Sequence, residues 1–207
     1  GDAAVSGWTV THPAFAQAVT EIESLGFRVS ENPGPDSIPY TVIGGRSNAR
    51  WWLVPLANRK VAMSGMALFQ PIIPSAKILK GAALMASSLG LSALWARKKL
   101  YISGKAHLAD LFGENDLHYA FFTGTDSPHR KVAVQIMDKA GNIKGFAKVS
   151  RNPAIKPLLS YEAAILNDLR SLELQSAHIP TVLFSGERDG ASLLVTDTLK
   201  TARTKTS

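Results

Sequence analysis

The chain predicts an α+β fold: a five-stranded antiparallel sheet with one packed helix in the C-terminal half, preceded by a mixed α/β extension. Three observations lead there. From Leu117 onward, short apolar runs alternate with tight-turn residues. A single helical stripe, Leu158 to Leu174, interrupts them. Before that, the pattern is irregular, with one clear helix, two strand-like runs and a long uncharged segment. Residues 1–110 are therefore read as an N-terminal extension of helix, short strands and a basic helical segment, and residues 111–207 as the sheet unit.

The first helix opens at Thr11-His12-Pro13, where proline suits a first turn. Phe15, Ala18, Val19, Ile22 and Leu25 form its apolar stripe, and Gly26 stops it. Glu31 to Asp36 is a loop by its prolines and glycine. Tyr40 to Ile43 and Trp51 to Val54 read as strands. Adjacent tryptophans in a strand put Trp51 and Trp52 on opposite faces, one ring in the core and one over neighbouring surface. Val61 to Phe69 fits either strand or helix, and Ser75 caps a helical run to Leu89.

Leu117–Phe122, Lys131–Met137 and Ile143–Val149 are the next strands, the last two joined by the turn Asp138 to Asn142. The helix follows, with Glu162, Ile165, Leu166, Leu169 and Leu172 on its stripe. Strands Thr181–Phe184 and Ser192–Thr196 flank the turn Glu187 to Gly190. The tail Lys200 to Ser207 is polar and basic.

Composition narrows the chemistry. The 207 residues are 45% hydrophobic, which suits a packed core. No cysteine is present, so disulfides, zinc thiolates and cysteine nucleophiles are excluded, and a cytoplasmic setting is the expectation. The segment Gly1 to Trp8 does not read as a signal peptide. Gly81 to Ala96 is uncharged but shorter than the roughly twenty residues a spanning helix needs. It reads as a buried helix, with a membrane-peripheral helix as the second choice because Lys80, Arg97, Lys98 and Lys99 flank it.

The net charge is +7, unevenly spread. No acidic residue falls between Asp36 and Asp110, while ten basic ones do: Arg46, Arg50, Arg59, Lys60, Lys77, Lys80, Arg97, Lys98, Lys99 and Lys105. That block attracts anions or an acidic membrane surface. No recognised nucleic-acid motif accompanies it, which ranks nucleic acid last.

The strongest chemical signal is Lys148 with Glu162. Lys148 ends an apolar strand run, and Glu162 falls among the apolar positions of the following helix. A carboxylate on a buried stripe costs several kcal/mol unless a cation meets it. A lysine on the neighbouring strand supplies one.

This arrangement resembles the N-terminal lobe of the aminoglycoside and choline kinase-like phosphotransferases. The matching pieces are Phe121-Phe-Thr-Gly124, Lys131 to Asp138, Gly145-Phe-Ala-Lys148-Val149, Tyr161-Glu162-Ala-Ala-Ile-Leu166, Ile179-Pro180 and Leu193 to Leu199. They cover about residues 115 to 200. The resemblance implies that Lys148 contacts the α- and β-phosphates of ATP and that Glu162 orients it. Thr123 to Lys131 becomes the loop over the phosphates, with Gly124 and Ser127 as its binding members. Thr196, Asp197 and Leu199 belong to the hinge that offers backbone hydrogen bonds to adenine. The loop departs from a glycine-rich pattern, having Gly124 alone, and its Asp126 repels phosphate.

Phosphoryl transfer also needs a catalytic aspartate in a His-x-Asp…Asn loop and a magnesium aspartate after the hinge. Neither is found, and the last asparagine is Asn167. His107, with Asp110 three residues on, precedes Lys148 and is in the wrong order. No catalytic residue and no metal ligand is therefore assigned. The expectation is an N-terminal fragment or orphan lobe, catalytically incomplete, whose partner is the missing C-terminal lobe. ATP and magnesium would serve a complete parent acting on a sugar-like or amino-sugar-like hydroxyl, with weak or absent binding here. Two alternatives stand beside it. One is a basic module for an anion, a membrane or a nucleic acid through residues 37–109. The other is a pseudokinase-like interaction domain that docks a partner or forms a homo-oligomer through an exposed apolar face.

Overall fold

The computed structural model describes residues 12–45, 49–67, 98–124, 127–172 and 179–198. Its order is α1 (Pro13–Glu23), β1 (Arg28–Ser30), β2 (Ile38–Gly44), β3 (Trp51–Pro55), α2 (Arg59–Ala67), β4 (Lys99–Ser103), α3 (Ala109–Phe112), β5 (His118–Thr123), β6 (Val132–Met137), β7 (Ile143–Ser150), α4 (Lys156–Ser171), β8 (Val182–Arg188) and β9 (Ala191–Asp197). The runs Gly81–Ala96 and Ser75–Leu89, Leu199 and the tail from Lys200 lie outside the described residues.

The α+β class holds, but the sheet is larger than expected. Nine strands form one antiparallel sheet in the order β1-β4-β2-β3-β5-β6-β7-β9-β8. The five-stranded unit is its C-terminal part. Pairing of β3 with β5, through Trp52 with Phe122 and Leu53 with Phe121, joins the earlier strands to it without a break. The reason is the apolar character of β3, all five of whose residues are buried. A strand covered on both faces and both edges has no place at the rim of a sheet.

Side-chain alternation divides the interior into layers. On one face, α1 lays Phe15, Ala18, Val19 and Ile22 over a core that includes Trp51, Leu53, Phe121, Val134, Val149, Leu193 and Val195. On the other face, α2 covers β3, β5 and β6, and α4 covers chiefly β8 and β9. Trp52 packs there with Ile43, Val54, Leu56 and Ala62, its ring 4.8 Å from Phe122. Both tryptophans are thus buried, at 2% and 6% exposure, which corrects the expected surface-facing ring. The second core under α2 is what covers it.

Local chemistry sets the element ends. His12 Nδ1 accepts the Ala14 N–H and caps α1. Asn58 Oδ1 accepts from Val61 N at 2.9 Å, which settles Val61 onward as helix. Asn152 Oδ1 accepts from Ala154 N, and the short 3-10 turn Pro153–Ile155 leads into α4 with Pro157 in its first turn. The helix therefore starts earlier than the apolar stripe. The β8–β9 hairpin turns on Asp189 and Gly190, at φ 48° and 77°. Two successive left-handed residues match the twist of the flanking strands.

Candidate functional site

Lys148 stands on β7, with Ala133 of β6 and Leu194 of β9 as its cross-strand partners. Ala147 and Val149 point into the α1-side core. Alternation therefore puts Lys148 and Phe146 on the opposite face. On that face α4 is held by Ile155, Leu159 and Ala163, which pack with Leu194. Glu162 precedes Ala163 and so leans toward β7. The Lys148 ammonium donates to Glu162 Oε1 at 2.5 Å.

The ion pair is present, but the setting differs from expectation. Lys148 and Glu162 side chains are 37% and 35% exposed. Glu162 is not stranded in hydrocarbon. Of the predicted α4 stripe, Ile165 and Leu172 are exposed and Leu166 and Leu169 are half-buried, and the buried positions are Leu159 and Ala163. The helix lies chiefly over β8 and β9, so only part of its circumference is covered. The pair is a half-buried contact on a sheet face.

An ammonium has three hydrogens. One goes to Glu162, and the others meet no acceptor among the described residues. The carboxylate thus holds the lysine upright while leaving donors for a further anion.

The loop before β6 is partly described. Gly124 N–H donates to Lys131 O at 3.1 Å, closing its base. A Cβ on Gly124 would sit 3.0 Å from that same carbonyl. Ser127 is exposed, and its carbonyl accepts from Arg130 N. The far side of the loop is tied to the end of β7. Asn152 Nδ2 donates to Pro128 O at 2.6 Å, and Ser150 Oγ to Arg130 O at 3.2 Å.

Behind this tie lies a buried charge that the sequence reading passed over. Glu21 of α1 is 1% exposed and accepts from Ser150 Oγ and Arg151 N. Burial pushes its carboxyl up to about 6, against the pull of the Arg151 N–H, the Arg130 charge and the Ser150 hydroxyl. The Arg130 guanidinium lies 5.6 Å from the centre of the Trp51 ring. The signal was available: Glu21 sits between Ala18 and Ile22 on the buried side of α1.

At the expected hinge, Thr196 pairs with Phe146, and Asp197 with Gly145. The Asp197 N–H donates to Thr181 O, and its carboxylate accepts from Thr181 N at 2.7 Å. The Thr198 N–H donates to Lys144 O. These two backbone donors are engaged inside the protein. Gly145 has a stated spatial reason, since a Cβ there would lie 2.3 Å from Thr196 O and 2.7 Å from the Phe112 ring.

Among the described residues, no group of three or more histidine or carboxylate side chains converges on a metal site. Comparison with protein-family models, curated proteins and solved structures finds no match.

Proposed function

We propose that the chain is the nucleotide-binding lobe of a phosphotransferase-like protein, with Lys148 as the phosphate-binding cation and Glu162 as the residue that positions it. The observation that carries this reading is the ion pair itself, about a third open to solvent on the strip of sheet between α2 and α4. A solvent-exposed pair adds little to folding, so its geometry is better suited to a ligand than to a core. The succession of three strands, a helix and two strands around it supports the same reading.

Fit to ATP is partial. Lys148 has donors to spare, and the loop from Gly124 to Lys131 adjoins the strand ends that flank it. Among the described residues no three histidine or carboxylate side chains converge, and no step is assigned to a metal. A sugar-like or amino-sugar-like acceptor is the substrate class that the family resemblance implies. Isothermal titration with ATP and magnesium tests the reading. Weak binding, at millimolar levels, is expected, and Lys148→Ala should abolish it. Binding that survives Lys148→Ala, or none at all, would overturn it.

A further inference from the structure

We infer that Glu21 and Ser150 form a proton-controlled tie on the turn Ser127 to Arg130. The tie holds while Glu21 is protonated and loosens when Glu21 ionises. It acts whether or not the lobe binds a nucleotide.

One hydrogen decides the matter. Ser150 is fully buried at the end of β7. Its Oγ lies 3.4 Å from Glu21 Oε1 and 3.2 Å from the Arg130 carbonyl oxygen. A hydroxyl has a single hydrogen to donate, so these two acceptors compete for it. The Asn152 N–H, at 3.1 Å, occupies the accepting side of the same hydroxyl. An ionised Oε1 draws the hydrogen more strongly than a neutral carbonyl does, because a charge on the acceptor strengthens the bond. Protonation removes that advantage, and the hydrogen turns to Arg130 O, the nearer acceptor. Glu21 Oε2 is where the proton sits. It is buried, with no hydrogen-bond partner among the described residues. An unpaired buried oxygen costs more charged than neutral.

The strands packed most closely on α1 are β1, β6 and β7. The charges they bring to Glu21 are Arg130, just before β6, and Arg151, at the end of β7. β1 holds Arg28 alone, which is exposed. The Arg151 guanidinium donates to Ser24 Oγ and Asp189 O, and that of Arg130 donates to Ala49 O. Burial outweighs the pull of both cations and raises the carboxyl to about 6. Opening the turn lets water reach the carboxylate, so ionisation favours the open form by linkage. The turn then keeps its second tie, from Asn152 Nδ2 to Pro128 O, and the loosening stays local.

The test is amide hydrogen exchange on the full chain from pH 5 to 7.5. Each rate is expressed as protection relative to an unstructured peptide at the same pH. The reporter is the Arg130 N–H, which donates to Ser127 O across the turn. Its protection should fall severalfold as pH rises through about 6, with a ceiling of about thirtyfold set by the shift from 4.5. The rate should not respond to dilute urea, the mark of a local opening. Glu21→Gln, which cannot ionise, should hold the low-pH protection throughout. Ser150→Ala should lower protection at pH 5 to about the wild-type level at pH 7.5. Wild-type protection that stays constant across the range would overturn the tie. A pH response kept by Glu21→Gln would assign it to His129, the exposed imidazole on the turn itself, and would also overturn it. So would protection at pH 5 that Ser150→Ala leaves untouched.

Discussion

Lys148 Nζ and Glu162 Oε1 meet at 2.5 Å although more than a third of each side chain is open to water. Solvent screens such a pair, so its expected worth to folding is about 0–1 kcal/mol. Glu162→Gln and Lys148→Met should each shift urea stability by less than about 1 kcal/mol. On the proposed reading nucleotide affinity should fall with both, and the effects should not add, because Glu162 would act only through Lys148. Parallel denaturation and binding measurements separate the outcomes. A loss of stability several times larger would mark the pair as a structural element.

The buried carboxyl of Glu21 gives the fold a dependence on pH. Its folded value, about 6, lies above the ordinary 4.5. The folded state therefore favours the protonated form. Stability from this group is fully present below pH 4.5 and is lost as pH rises through 6. The shift corresponds to about 2 kcal/mol. Glu21→Gln keeps an oxygen for Arg151 N and Ser150 but cannot ionise. The wild-type profile minus the Glu21→Gln profile, measured from pH 4 to 8, should fall by about that amount across this window. A flat difference would mean that Glu21 ionises freely when folded. His118 contributes with the opposite sign, since burial lowers its value, and it cancels in the subtraction.

Trp51 and Trp52 belong to separate cores on opposite faces of β3. Each should cost about 3–5 kcal/mol when truncated to alanine. Chemical denaturation of the two variants checks this. A mild effect at Trp52 alone would restore the surface-facing ring expected from sequence.

Much of the C-terminal architecture was legible because it is local. Val132, Val134 and Ile136 alternate on one face of β6, and the turn Asp138 to Asn142 is written in its own side chains, with Asp138 Oδ1 accepting from Ala140 N and Asn142 N. Lys148 and Glu162 could be paired because strand and helix are neighbours in the chain. Long-range features escaped. Nothing local to Arg28–Ser30 or Lys99–Ser103 announces that these short strands pair with each other, nor that β3 bridges to β5. The exposure of Glu162 also escaped, because periodicity marks a helix face but not how much of it the neighbouring sheet covers. The exposure of Phe146 escaped for a different reason: an apolar residue in an apolar strand looks like core until the helices beside it are placed.

Gly145 links the packing of the sheet to the site. β9 approaches β7 so closely that a Cβ at this position would meet the Thr196 carbonyl at 2.3 Å and the Phe112 ring at 2.7 Å. The ring of Phe112 could swing aside, but the carbonyl belongs to the sheet ladder and cannot move alone. Gly145→Ala should therefore push β9 from β7 at the pairs Gly145–Asp197 and Phe146–Thr196. The cost expected for such overpacking is about 1–3 kcal/mol. Hydrogen exchange locates the effect: the amide of Thr198, which donates to Lys144 O, should lose protection first. Amides of β2, which lies on the far side of β3 and β5, should keep theirs. On the proposed reading, because Lys148 lies on the displaced strand, nucleotide affinity should drop by more than the stability loss implies. Unchanged exchange at Thr198 would show that the two strands have room to spare, and would remove the packing argument for the glycine.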